Sequence, residues 1–267
     1  MRKPSNFYLS KWYLDCVSEE GDVLIGYAAR IGWRGLSINF SSLLLRRAHH
    51  VAETKTSLRE LRVPLIEGAE LHWNSPELDV KGTWKPLEQP IRRILLENDA
   101  GSIEWNCISP HSEAKISIGT GLSFEGLGYV EHLTMSIPPW KLPFNELRWG
   151  RFLSERDALV WIDWKGTNNF RVVFHNGVEL ENAVVSDEGI TSQKSSVLMD
   201  CHNVLRTGPL LRTSLAVIPG IRKLFPSRTL MTEESKWLSR GSLKNLHGDA
   251  CSGWAIHEVV QWKKGRA

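Results

Sequence analysis

Apolar side chains recur at every second position of this chain in short stretches, and turn residues separate the stretches at close intervals. Over 22–31, Val23, Ile25, Tyr27, Ala29 and Ile31 fall on one face by the two-residue repeat of an extended strand. The same pattern predicts strands over 7–17, 34–45, 78–84, 91–97, 102–108, 114–118, 129–137 and 147–153. Further strands are expected over 157–164, 168–174, 178–185, 235–243 and 254–262. Turns fall at Glu20-Gly21-Asp22, at Asn98-Asp99-Ala100-Gly101 and at His175-Asn176-Gly177, a strong hairpin signal. The stretch 196–222 has the weakest pattern, with a short helix expected over 204–215. Amphipathic helices are otherwise scarce, so the chain reads as all-β, a barrel or sandwich rather than α/β.

Gly119, Gly121, Gly126 and Gly128 fall within ten residues, and Pro138-Pro139 and Pro143 follow. The glycine spacing is neither that of a phosphate loop nor that of a dinucleotide fingerprint, which leaves a sharp bend or a close backbone approach. A chain of 267 residues holds one large or two small β domains. The glycine-rich stretch places the division near 120, into an N-terminal unit 1–120 and a C-terminal unit 121–267.

The net charge is +3 and the basic residues are dispersed, without the stripe that marks a nucleic-acid binder. No apolar run approaches the roughly 18 residues of a membrane helix, so no stable membrane insertion is expected. The stretch Met1–Ser10 leads into Trp12-Tyr13-Leu14-Asp15 without a signal-peptide core, and the expected compartment is the cytoplasm. Cys16, Cys107, Cys201 and Cys251 lie far apart, which favours free buried thiols over zinc ligation or a redox pair. His49-His50 and His111 lack ligand neighbours at metal spacing, and His247-Gly248-Asp249 reads as a turn. Neither metal nor cofactor is expected. No G-x-S-x-G elbow appears to anchor hydrolase chemistry, and the oligomeric state, a homodimer included, is left open.

The informative residues are charges on apolar faces. Over 129–137 one face holds Tyr129, Glu131, Leu133, Met135 and Ile137, and the other Val130, His132, Thr134 and Ser136. Over 254–262, Trp254, Ile256, Glu258, Val260 and Trp262 share a face, again with one acid in an apolar row. Arg151 sits likewise among Leu147, Trp149 and Leu153, a natural partner for a buried carboxylate. A carboxylate buried alone costs several kcal/mol, about enough to hold its proton instead, which makes it a usable general acid. Structural ion pairs produce the same pattern, and a β-bulge would turn either acid to solvent. The chain also has 12 Trp against 4 Tyr and 8 Phe, a composition suited to the walls of a cavity or simply to a Trp-rich core.

Three stretches resemble the lipocalin-like (calycin) superfamily of carotenoid 1,2-hydratases, tocopherol cyclases and decalin-forming cyclases. The segment Trp12-Tyr13-Leu14-Asp15-Cys16-Val17-Ser18-Glu19-Glu20-Gly21 resembles the W-Y-x-D-x-x-S-x-D-G opening of the hydratases. Gly126-Leu127-Gly128-Tyr129-Val130-Glu131-His132 is similar to their G-x-G-Y-x-D-H element, with Glu131 replacing Asp, and Gly253-Trp254-Ala255-Ile256-His257-Glu258 to a C-terminal G-x-x-x-x-E strand. The resemblance implies two lipocalin-like antiparallel barrel or half-barrel units with a hydrophobic cavity. It also implies cofactor-free hydration, cyclisation or double-bond isomerisation of an isoprenoid- or polyketide-like substrate. On that reading Glu131, His132 and Glu258 are the candidate catalytic residues. Tyr129, Trp140, Trp149, Arg151 and Trp254 would contact substrate, Trp140 or Trp149 through cation–π contact and Arg151 by orienting a polar end. Leu133-Thr134 departs from the W-G that follows the family's histidine, and the chain is shorter than typical members. A carrier of a hydrophobic ligand, with the same cavity and no chemistry, is the alternative.

Overall fold

A computed structural model of the chain describes residues 7–59, 61–200, 203–209, 232–245 and 250–262. Among these, regular structure is strand apart from one 3₁₀ turn, Pro139–Lys141. No helix among them is long and apolar enough to cross a membrane. The chain forms two compact units, Met1–Lys141 and Leu142–Ala267.

The first unit contains β1 (Phe7–Val17), β2 (Val23–Trp33), β3 (Leu36–Arg46), β4 (Glu53–Ser57), β5 (Leu65–Glu67), β6 (Glu70–Ser75), β7 (Val80–Pro86), β8 (Ile91–Asn98), β9 (Gly101–Ile118) and β10 (Leu122–Met135). The second contains β11 (Phe144–Leu153), β12 (Ala158–Gly166), β13 (Phe170–His175), β14 (Val178–Glu179), β15 (Val184–Val185), β16 (Gly189–Thr191), β17 (Ser195–Met199), β18 (Asn203–Pro209), β19 (Thr232–Asn245) and β20 (Ala250–Trp262). Each set forms one antiparallel ten-stranded sheet. The first runs β4-β3-β2-β1-β10-β9-β7-β6-β5 with β8 also on β9, and the second runs β14-β13-β12-β11-β20-β19-β17-β16-β15 with β18 also on β19. The two orders are the same, strand for strand, so one β topology occurs twice in the chain.

The turn signals act as expected. Asn176 and Gly177, at φ 47° and 74°, form the two-residue turn of the β13–β14 hairpin, the left-handed pair that matches strand twist. Several expectations need correction, and one is the strand over 178–185, which is two separate two-residue strands, β14 and β15, with a turn at Asn182 between them. The unit boundary lies at Lys141/Leu142, because the glycine-rich stretch near 120 is only the β9–β10 turn and β10 goes on to pair with β1. The strands expected over 102–108 and 114–118 are one strand, β9, interrupted by a bulge around Pro110, which has no N–H to give a ladder. Residues 203–209 form β18 rather than the start of a helix, and the rest of that stretch, with Cys201 and His247-Gly248-Asp249, lies outside the described residues.

Each sheet curls on itself. Leu24 and Leu43 of β2 and β3 pack in one cluster with Leu71 and Trp73 of β6, although four strands separate β2 from β6 in the sheet. Trp73 lies on Gly26, where a Cβ would stand 2.5 Å from the ring, and Trp84 lies on Gly128. In the second unit Phe152, Trp161 and Val173 meet Val185, Ile190 and Val197 in the same manner. The inside of each curl is therefore packed by the protein's own large side chains at this level. Cys16 and Cys107 are buried free thiols and Cys251 a partly buried one.

At Gly128 a Cβ would stand 2.6 Å from the Asp15 carbonyl oxygen and 2.7 Å from the Trp84 ring, whereas at Gly121 it would meet nothing within 4 Å. Gly128→Ala should destabilise the protein by about 1–3 kcal/mol, as forced overpacking does. Gly121→Ala should leave stability within about 0.5 kcal/mol, both read from denaturant unfolding.

Candidate functional site

The strand β10 holds its two-residue alternation against β1 without interruption. The irregularity falls on β9: between Gly128 and Glu131 the partner positions run from Ser112 to Cys107, so the extra residues bulge out of β9. There β9 also changes partner, pairing with β7 over Ser112–Ile118 and with β8 over Gly101–Cys107. Val130 and His132 consequently point into the curl, while Tyr129 and Glu131 project from the opposite face, beside Tyr13 of β1 and Cys107 of β9.

Glu131 is 4% exposed. Its Oε2 accepts two hydrogen bonds, from the Trp105 indole N–H at 2.6 Å and from the Tyr129 hydroxyl at 2.8 Å. Such donors offset the several kcal/mol, to order of magnitude, that burying the group costs. An indole N–H only donates, so Oε2 is an acceptor in this contact. The Tyr129 hydroxyl is pushed well above the usual phenol range by burial, with Cys107 and Glu131 adding to it. Burial likewise pushes the Cys107 thiol up, partly countered by its hydrogen bond with Tyr129. Both therefore stay neutral around the carboxyl. Tyr13 stands edge-on to Tyr129 with ring centres 6.0 Å apart, and its hydroxyl donates to Asp15 Oδ2 at 3.0 Å.

From Glu131 the same face continues down the sheet as an apolar strip. Leu133 and Met135 of β10 lie opposite Lys11 and Leu9 of β1, which lie opposite Ala29 and Ile31 of β2. Leu9, Lys11, Ile31, Trp33 and Leu133 are half-buried along the strip, between buried Tyr13 at one end and buried Phe7 and Met135 at the other. Trp140 stands edge-on to Phe7 and to Trp33 at its far end, with ring centres 6.1 and 5.3 Å apart.

The second unit places Glu258 at the position Glu131 holds in the first. Gly126 abuts the carbonyl of Val17, and Gly253 that of Leu153, at the matching ends of β1 and β11. Counting from these contacts, Glu131 faces Tyr13 and Cys107, and Glu258 faces Trp149 and Lys236. The surroundings differ in kind. Lys236 Nζ lies 2.5 Å from Glu258 Oε2, 3.9 Å from Glu234 Oε1 and 5.6 Å from the centre of the Trp149 ring. Arg206 Nη2 donates to Glu234 at 2.5 Å. Four charges of alternating sign thus form a ladder, Glu234 and Lys236 buried and Arg206 and Glu258 half-buried, where Trp105 and Tyr129 donate to the acid of the first unit.

Of the residues singled out from the sequence, Tyr129 and Glu131 come together, as do Trp149 and Glu258 through Lys236. His132 does not join Glu131: it stacks on Trp12 inside the curl, 4.5 Å between ring centres, and is hydrogen-bonded to Ser10 at 2.8 Å. Burial there lowers its pKa. Arg151 is fully buried and donates to the Trp254 carbonyl at 2.6 Å, while the Trp254 ring lies 4.4 Å from the Arg240 guanidinium. Trp105, Cys107, Tyr13, Arg206, Glu234 and Lys236 were not singled out. For Glu234 and Lys236 a signal existed, since opposite charges two residues apart on a strand share a face. Trp105 and Cys107 show no such signal, because the β9 bulge sets their pairing with β10.

No protein-family model matches the sequence, and no curated protein matches it. Solved structures do. CghA in complex with Sch210972 superposes with a TM-score of 0.67 at 11% identity, over 98% of this chain and 90% of that one. An AttH-like protein from Nitrosomonas europaea gives 0.60 at 8%, over 97% and 94%. Kievitone hydratase from Nectria haematococca gives 0.51 at 8%, over 96% and 89%. The chain has their lipocalin-like fold. At such identities the likeness is one of backbone alone.

Two outcomes test the electrostatics. Lys236→Met strands Glu258 and should destabilise the protein by about 3–5 kcal/mol, whereas Lys165→Met, in an exposed pair with Glu146, should change stability by less than about 1 kcal/mol. His257, inside the second curl and hydrogen-bonded to Ser239 at 2.9 Å, is lowered by burial from 6.5 to about 4. Between those values the unfolded chain binds a proton that the folded chain refuses. Stability is therefore complete above pH 6.5 and falls by roughly 3 kcal/mol as pH drops towards 4. His257→Gln should flatten that slope in unfolding curves recorded across the window.

Proposed function

We propose that the chain is a cofactor-independent enzyme acting on an apolar isoprenoid- or polyketide-like small molecule by acid/base-assisted hydration, cyclisation or double-bond isomerisation. One observation carries this reading: Glu131 closes the buried end of an apolar, partly open strip, with one carboxyl oxygen held by Trp105 and Tyr129. Glu131 is then the group to give or take a proton, in a setting where water is scarce and proton transfer contributes about 10²–10⁴-fold. The substrate's apolar body would lie along Leu9, Ile31 and Leu133, with Trp33 and Trp140 at the far end. Two proteins of the same fold agree in kind, one being named a hydratase and the other solved with a bound small molecule. Proton handling rests on Glu131 alone in this reading. His132 faces the interior of the curl, and Glu258 is engaged by Lys236. Lys236 also lies over the Trp149 ring, and this reading assigns Trp149 no substrate contact.

A carrier reading draws on the same two hydrogen bonds, since they also satisfy a buried acid that does nothing further. Native mass spectrometry of the purified protein, with extraction of the retained lipophilic compound, identifies the ligand for either case. Glu131→Gln keeps the shape and removes the proton. It should lower turnover of that compound at least about 100-fold while affinity changes less than about threefold. Turnover at the wild-type rate in this variant defeats the assignment, and a wild-type protein that returns the compound unchanged is a carrier.

A further inference from the structure

Lys11 is a cation in the apolar strip below Glu131. Its neighbours on that face are Leu9 and Tyr13 along β1, Leu133 across to β10 and Ala29 across to β2. It is half-buried, and among the described residues no acid lies within ion-pair distance of its ammonium group. A lysine stem packs well in an apolar row, but its head needs water or an anion. Glu131 lies one diagonal away, with β-carbons about 7 Å apart, and its Oε2 accepts from Trp105 and Tyr129.

We infer that Lys11 binds an anionic group on the substrate and so selects apolar molecules that carry a carboxylate or an acidic enol. The inference rests on the proposed small-molecule site and adds the substrate's charge to it. The geometry sets a further limit. With Lys11 and Glu131 one diagonal apart on one sheet face, the anionic group lies within a few bonds of the atom that exchanges a proton with Glu131. Lys11 then does two things: it orients the substrate, and it favours negative charge developing near the reacting carbon. The first unit supplies this cation by itself. At the corresponding place in the second unit stands Leu147, so the repeated topology carries the lysine in one copy only.

Two fluorescent probes of one aromatic skeleton test this, anilinonaphthalene sulfonate as the anion and phenylnaphthylamine as the neutral form, titrated into wild type, Lys11→Met, Lys11→Arg and Glu131→Gln. The expected result is competition between the probes in the wild type, with the sulfonate bound more tightly. Lys11→Met should weaken the sulfonate roughly tenfold and leave the neutral probe unchanged, which also reports that the variant is folded. Lys11→Arg and Glu131→Gln should keep the preference for the sulfonate. Persistence of that preference in Lys11→Met, with the neutral probe still bound, overturns the role of Lys11 and leaves the small-molecule site standing. Failure of the neutral probe to bind the wild type overturns both.

Discussion

An indole laid flat against a β-sheet needs a position without a side chain beneath it, and that requirement governs the first unit. Trp73 rests on Gly26 and Trp84 on Gly128, and the Trp84 N–H donates to the Asp15 carbonyl at 2.7 Å. These contacts reach across strands that are not neighbours in the sheet, so they hold the curl closed. They also explain two glycines of the motif around Glu131: Gly126 lets its strand approach Val17, and Gly128 admits the ring. In the second unit the same volume is filled from another direction. Trp161, on β12 itself, lies on Gly150 of the adjacent strand.

Filling the inside of the curl has a consequence for chemistry. With tryptophans packed there, the polar residues of β10 divide between two environments. His132 goes inward to Ser10 and Trp12, and Glu131 goes to the face that opens onto Lys11, Leu9 and Trp33. Adjacent residues in the chain thus end up on opposite sides of one sheet. An acid–histidine relay, natural to infer from their adjacency, is not the arrangement the backbone makes.

The repeated topology shows two ways of keeping an acid at one position. In the first unit the neutral donors Trp105 and Tyr129 hold one oxygen of Glu131. In the second, Lys236, Glu234 and Arg206 bind Glu258 into a ladder in which each charge depends on its neighbours. Removing one partner of such a buried set is costly because the desolvated remainder has no substitute. The first arrangement suits chemistry and the second suits structure, from the same backbone.

Alternation of apolar and polar residues is a local property, and it was sufficient to read from the sequence an all-β chain, most of its longer strands, its hairpin turns and the row that holds Tyr129 and Glu131. It also singled out Glu131 and Glu258 as acids in apolar rows, because the two-residue period assigns each side chain to a face whatever lies across the sheet. It could not say which face would turn inward, where the first unit ends, or what would meet the acids. Those depended on pairings between distant segments: the β9 bulge that brings Trp105 to Glu131, the β19–β20 register that brings Lys236 to Glu258, and the curl that carries Trp73 to Gly26. Short strands such as β4 to β6 escaped notice because they carry too few residues for a period to show. The partners of a buried charge are decided by which strands lie side by side, and only the folded sheet determines that.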